Sequence, residues 1–185
     1  MSTAKTFKKK MLAVFLMVAV TVTMIPASFA LNTSEASAAT TVSYTAKKSK
    51  VKAVDGKAAC DSTVFTVSSL AAKGLCSQAE AYAQSGKAGI TKLSNSSTLA
   101  KIAYYWGYVN GEKKYGASAF FGSYKTGSKQ AVTTARVKLA RMFSYEKRGG
   151  TTWPFSKTSV KNAIAEAKKV DVPSNFEAWF GNPTN

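Results

Sequence analysis

Ser96-Ser97-Thr98-Leu99-Ala100-Lys101-Ile102-Ala103-Tyr104-Tyr105-Trp106-Gly107-Tyr108-Val109 is the stretch whose period sets the fold class. Leu99, Ile102, Ala103, Trp106 and Val109 recur at the spacing of one buried helical face. Ser96, Ser97 or Thr98 supplies the N-cap, a short hydroxyl accepting from a backbone N–H that the first turn leaves unpaired. Asn110-Gly111 reads as the stop, so the spacing predicts a helix over about 98–109.

Downstream, a second helix is expected over about 130–146, with Val132, Ala135, Leu139, Met142 and Phe143 on one arc. Lys129, Arg136, Lys138, Arg141, Lys147 and Arg148 fall outside that arc. Gly149-Gly150 ends this helix and Trp153-Pro154 begins a turn. A third helix over about 158–169 turns Val160, Ala163, Ile164 and Ala167 inward, and Phe176–Phe180 reads as a last short strand. Upstream the pattern changes to β-branched and aromatic. Thr63–Val67, Leu75-Cys76 and Ala88–Lys92 are strand segments, punctuated by Gly74, Gly86 and Gly89. Short strands over about 60–92 followed by three helices give an α+β class, one compact domain over 59–185. Residues 31–58 are Ala, Ser, Thr and Lys with few large apolar groups, a flexible lead-in.

The first thirty residues have the order of a secretory signal peptide. Lys5, Lys8, Lys9 and Lys10 make a basic start, Met11–Ile25 is almost wholly apolar, and Pro26 leads to the small-residue stretch Ala27-Ser28-Phe29-Ala30. A membrane-spanning helix needs about 20 apolar residues, more than this run holds. The chain is therefore expected to be secreted, with cleavage after Ala30 or, as a second candidate, after Ala38, and no transmembrane span in the mature part; the alternative is an uncleaved signal anchor.

Composition narrows the chemistry. The 185 residues carry 26 Lys+Arg against 9 Asp+Glu, a net charge of +17, which falls to +13 when the four leader lysines leave. No histidine is present, which excludes Ser-His-Asp and Cys-His catalysis, HExxH zinc sites and a histidine pH switch. Nine scattered acids argue against a carboxylate metal cage. No cofactor, no metal and no enzymatic activity are expected. A basic surface attracts polyanions: teichoic acid and anionic lipid at an envelope, or nucleic acid. Between 101 and 124 bases and aromatics interleave. Tyr105, Tyr108, Lys113, Lys114 and Tyr124 form a candidate binding surface able to stack on bases or sugars, whereas Trp106 is in phase with the core.

Cys60 and Cys76 are the two cysteines. Export permits a disulfide between them, closing a loop of about 15 residues worth about 3 kcal/mol. Cys76 is otherwise a small buried hydrophobe, or the partner of a glutamine in a thioester, an electrophile able to capture an amine.

Several strings occur together in order: Gly74-Leu75-Cys76; Ser94 to Tyr108; Arg141-Met142-Phe143-Ser144-Tyr145; Val172-Pro173-Ser174-Asn175-Phe176-Glu177-Ala178-Trp179-Phe180; and Asn182-Pro183-Thr184-Asn185, itself read as a loop. Over about residues 60–185 the chain resembles the N-terminal head region of cell-wall-anchored surface proteins and pilins of Gram-positive gut bacteria. That head is similar to the thioester domain of Gram-positive adhesins. The resemblance implies a secreted or cell-surface adhesion module. It would bind a host surface protein or glycan, and would continue past Asn185 into Cna-B repeats and a sortase signal. It also implies a thioester between Cys76, which follows the aliphatic Leu75, and Gln130 in Lys129-Gln130-Ala131-Val132-Thr133-Thr134, where no Trp follows as in the family. The alternative is a cationic secreted protein that binds teichoic acid, anionic lipid or nucleic acid and keeps Cys60–Cys76 as a structural disulfide.

Overall fold

A computed structural model of the chain describes residues 14–18, 40–52, 59–70, 72–76, 84–122 and 130–184. The strands are β1 (Val14–Val18), β2 (Thr40–Lys52), β3 (Ala59–Val67), β4 (Ala72–Cys76), β5 (Gly86–Lys92) and β6 (Glu177–Thr184). β2 to β6 form one antiparallel sheet in the order β4-β3-β2-β5-β6. The sheet curls until its two edge strands, β4 and β6, run the same way with room for one strand between them. β1 lies there, parallel to both, and closes a barrel. With the helices between β5 and β6, the architecture is α+β.

Two differences from the sequence reading concern the strands. The lead-in expected over 31–58 is occupied over Thr40–Lys52 by β2, the central strand, hydrogen-bonded to β3 on one side and β5 on the other. Its Val42-Ser43-Tyr44-Thr45 stretch alternates as a half-buried strand should: Val42 and Tyr44 are buried, Ser43 and Thr45 exposed. Residues 31–39 and 53–58 lie outside the described residues, as does most of the expected signal, apart from Val14–Val18. The string Asn182-Pro183-Thr184, read as a loop, is instead the end of β6, opposite Gly89, Ala88 and Lys87 of β5. Pro183, which has no N–H to give, sits beyond the last β1–β6 pair at Gly181, where β6 has a neighbour on one side.

Both faces of the sheet are buried, which Val64 and Phe65 show directly: they are consecutive, point to opposite faces, and are 5% and 0% exposed. Phe65 joins Val42, Tyr44, Val67, Ala88 and Ile90 inside the barrel, and the Tyr44 ring meets it edge-on at 5.1 Å. Val64, Leu75 and Ala178 point outward into a larger core filled by Ile102, Leu139, Met142, Phe143, Val160 and Ile164.

The helical layer is α1 (Thr98–Ile102), which continues into a π-helical segment, Ala103–Lys113, then α2 (Ala117–Phe120), α3 (Gln130–Arg148) and α4 (Lys157–Lys168). Ser97 caps α1 by accepting from Ala100 N–H at 3.2 Å, and Ser156 caps α4 by accepting from Ser159 N–H at 3.1 Å. Gly149, at φ +63°, ends α3, donating its N–H to the Tyr145 carbonyl at 2.8 Å. The expected stop at Asn110-Gly111 is absent, because the wider winding carries the helix through it. The buried line becomes Ile102, Ala103, Gly107 and Gly111. Asn110 Nδ2 donates to the Tyr105 carbonyl five residues back at 2.9 Å. Gly111 serves close packing, since a Cβ there would lie 2.5 Å from Phe120 Cζ.

Replacing Gly111 by Ala is therefore expected to lower stability by about 1–3 kcal/mol through overpacking, and Phe120→Leu in the same chain to restore part of it. Denaturant unfolding of both variants checks this, and a G111A chain as stable as the parent contradicts the packing.

Candidate functional site

Cys76 is the last residue of β4 and Gln130 the first of α3. The elements that carry them meet: α3 lies against β3 and β4, and Val132, near the start of α3, belongs to the same apolar core as Val64 and Leu75. Thr133 follows Gln130 by three residues and so shares its side of the helix. Its hydroxyl is buried and, among the described residues, has no hydrogen-bond partner, an unusual state for a buried polar atom, which normally costs about 1–3 kcal/mol.

Cys60 sits elsewhere on the sheet. In the β3–β4 register Val64 faces Leu75 and Phe65 faces Gly74, so the position opposite Cys76 is Thr63. Cys60, opposite Val51 of β2, is three residues further along, about 10 Å at strand rise. A disulfide bridges Cα atoms no more than about 7 Å apart, so this register argues against the Cys60–Cys76 bond.

The candidate basic and aromatic surface divides. Lys113 and Lys114 are exposed at the end of the π-helical segment, and Lys114 Nζ lies 5.3 Å from the Tyr115 ring centre. Tyr105 and Tyr108 are half-buried and packed against the larger core. The Tyr105 ring meets Trp106 edge-on at 5.1 Å, and Tyr108 stacks on Tyr104 at 6.0 Å. Tyr124 lies outside the described residues. Trp106 is half-buried against the larger core, its Nε1 donating to the Ala163 carbonyl of α4 at 2.8 Å. Among the described residues Trp153 is the exposed large aromatic, at 52%.

Arg136 and Arg141, placed outside the apolar arc by the sequence, are buried. Arg136 Nε and Nη2 donate to the Phe120 and Gly122 carbonyls, both at 2.7 Å, and Arg141 Nε donates to the Trp153 carbonyl at 2.6 Å. Arg136 thus ties α3 to the end of α2, and Arg141 ties it to the turn at Trp153. The sequence held a signal for Arg136: it lies four residues after Val132, three before Leu139 and seven before Phe143, on the buried arc itself. Glu112 gave none. It is half-buried in the π-helical segment, where desolvation raises its carboxyl above the ordinary range while the charge of Lys73 on β4 acts the other way.

Among the described residues no cluster of His, Cys, Asp and Glu is suited to hold a metal, and no helix is long and apolar enough to cross a membrane.

Because burial raises its pKa, Glu112 holds its proton to higher pH in the folded chain than in the unfolded one. Its contribution to stability is complete below the ordinary carboxyl pKa and is lost as pH rises through the folded value. Glu112→Gln, uncharged throughout, is expected to be more stable than the parent at neutral pH, with the difference closing under acid conditions. Unfolding curves across that range check it, and a parent more stable than the variant at neutral pH contradicts it.

No family model, no curated protein and no solved structure matches this chain.

Proposed function

We propose that the chain is an exported, non-catalytic binding head at the surface of a Gram-positive bacterium, which captures an amine on a host surface protein through a thioester between Cys76 and Gln130. The thiolate of Cys76 would attack the Gln130 carboxamide carbon and expel ammonia. A partner amine would then attack the thioester, leaving an amide on residue 130 and a free thiol at Cys76. The observation that carries this reading is the meeting of two elements: Cys76 ends β4, and Gln130 opens the helix that lies against β4. The buried, unpartnered Thr133 hydroxyl, on the same side of α3 as Gln130, adds a donor for an acyl oxygen.

A second reading, polyanion binding, is favoured by the lysines of the helical layer. Lys113, Lys114, Lys157, Lys161 and Lys169 are exposed, whereas Lys92 and Lys168 are paired with Glu177 and Glu146 at 2.6 and 3.5 Å. Teichoic acid, anionic lipid or nucleic acid would then be the partner, with affinity falling steeply as salt rises.

Intact mass of the secreted protein, purified without reductant, separates the readings. A thioester is expected to give a mass about 17 Da below the reduced sequence, rising by about 31 Da with methylamine, the bookkeeping of ammonia lost and amine added. Cys76→Ala should abolish both shifts. A mass equal to the reduced sequence, or about 2 Da below it as a disulfide requires, and unmoved by methylamine, contradicts covalent capture.

A further inference from the structure

We propose that the gap between β4 and β6 is an acceptor slot, which takes an extended apolar strand from a partner polypeptide once the leader has been removed. This goes beyond the function proposed above and rests on loss of residues 1–30 with the signal. Among the described strands β1 alone is parallel to its neighbours on both sides. Phe15–Val18 pair with Lys73–Cys76, and Val14–Val18 pair with Glu177–Gly181. The same five residues lie within the apolar run Met11–Ile25 that reads as the leader. When they depart, β4 and β6 face each other across two strand spacings, about 9–10 Å, each with an unpaired backbone edge.

The walls of the slot specify its occupant. On the inner side Gly74 pairs with Phe65 and Gly181 with Ile90, both in the barrel core. Leu75 and Phe180 belong to the helix-side core. A strand between them is buried on both faces, so it must be apolar at every position rather than at alternate ones. Val14-Phe15-Leu16-Met17-Val18 has that composition. Gly74 and Gly181 put no side chain beside register positions 16 and 18, leaving room there for large residues. The occupant is thus a run of about five apolar residues, extended and parallel to β4 and β6, held by main-chain hydrogen bonds on two sides as in strand addition. The sequence 31–39 that remains ahead of β2, Leu31-Asn32-Thr33-Ser34-Glu35-Ala36-Ser37-Ala38-Ala39, contains no such run, and the donor proposed here is a second chain.

The test uses the full-length chain carrying Leu16→Pro, which removes a strand N–H at the centre of β1, and a peptide with the sequence of residues 8–20. Hydrogen exchange is expected to quicken about tenfold or more at amides 73–76 and 177–181 in the variant, and the peptide to restore the parent's protection. A peptide with Pro at position 16 should not. Parent-like protection in the variant without peptide, no restoration, or equal restoration by the Pro peptide overturns the proposal. If the substitution unfolds the whole chain, refolding by the peptide supports the slot and its absence overturns it. A mass showing no thioester leaves this result standing. An exported protein whose N-terminus still precedes Val14 fills the slot from its own chain and overturns donation by a partner.

Discussion

The structure depends on a sheet that buries both faces with only one layer of helices to cover it. The helices cover the face of Val64, Leu75 and Ala178; the other must cover itself, which it does by curling until Phe65, Tyr44 and Ile90 meet inside. A curled sheet of five antiparallel strands ends with β4 and β6 parallel and one strand apart. The place between them holds one strand, and Val14–Val18 occupies it, parallel to both. The burial of one consecutive pair of residues thus leads to a barrel, and the barrel to a seam.

The helical layer meets a different constraint. The π-helical segment has to come close to α2. Glycine lets it do so at Gly111, where the Phe120 ring lies on the backbone. Arg136 reaches from α3 to the carbonyls that the end of α2 leaves open. Two buried cations in a chain already so basic would be costly if unsatisfied; here Arg136 and Arg141 work as backbone ties rather than as part of a charged surface.

Much of this could be read from the residues. The three helices begin within a residue of where their periods place them, and Ser97, one of the three N-cap candidates of the first, makes the expected bond. The strands around Phe65, Leu75 and Ile90 were legible from β-branched and aromatic content. What escaped has physical causes. β2 hides in a polar run because a strand with Val42, Tyr44 and Ala46 on one side carries Ser and Thr on the other. The helix runs on past Asn110-Gly111 because the Phe120 ring fills the space at Gly111, a tertiary contact that no local rule encodes. The site was legible as residue types alone. The sequence names Cys76 and Gln130, but the meeting of β4 with α3 and the unpartnered Thr133 hydroxyl arise only when the layers pack.

The central claim is that a parallel strand seals the seam between β4 and β6. Its most direct measurement compares amide hydrogen exchange in the full chain with that in a chain beginning at Leu31, isolated without a partner. Amides 73–76 and 177–181 are expected to pass from slow to fast exchange on loss of residues 1–30 while those of Phe65 and Ile90 stay slow. Identical protection along β4 and β6 in both forms would contradict the account.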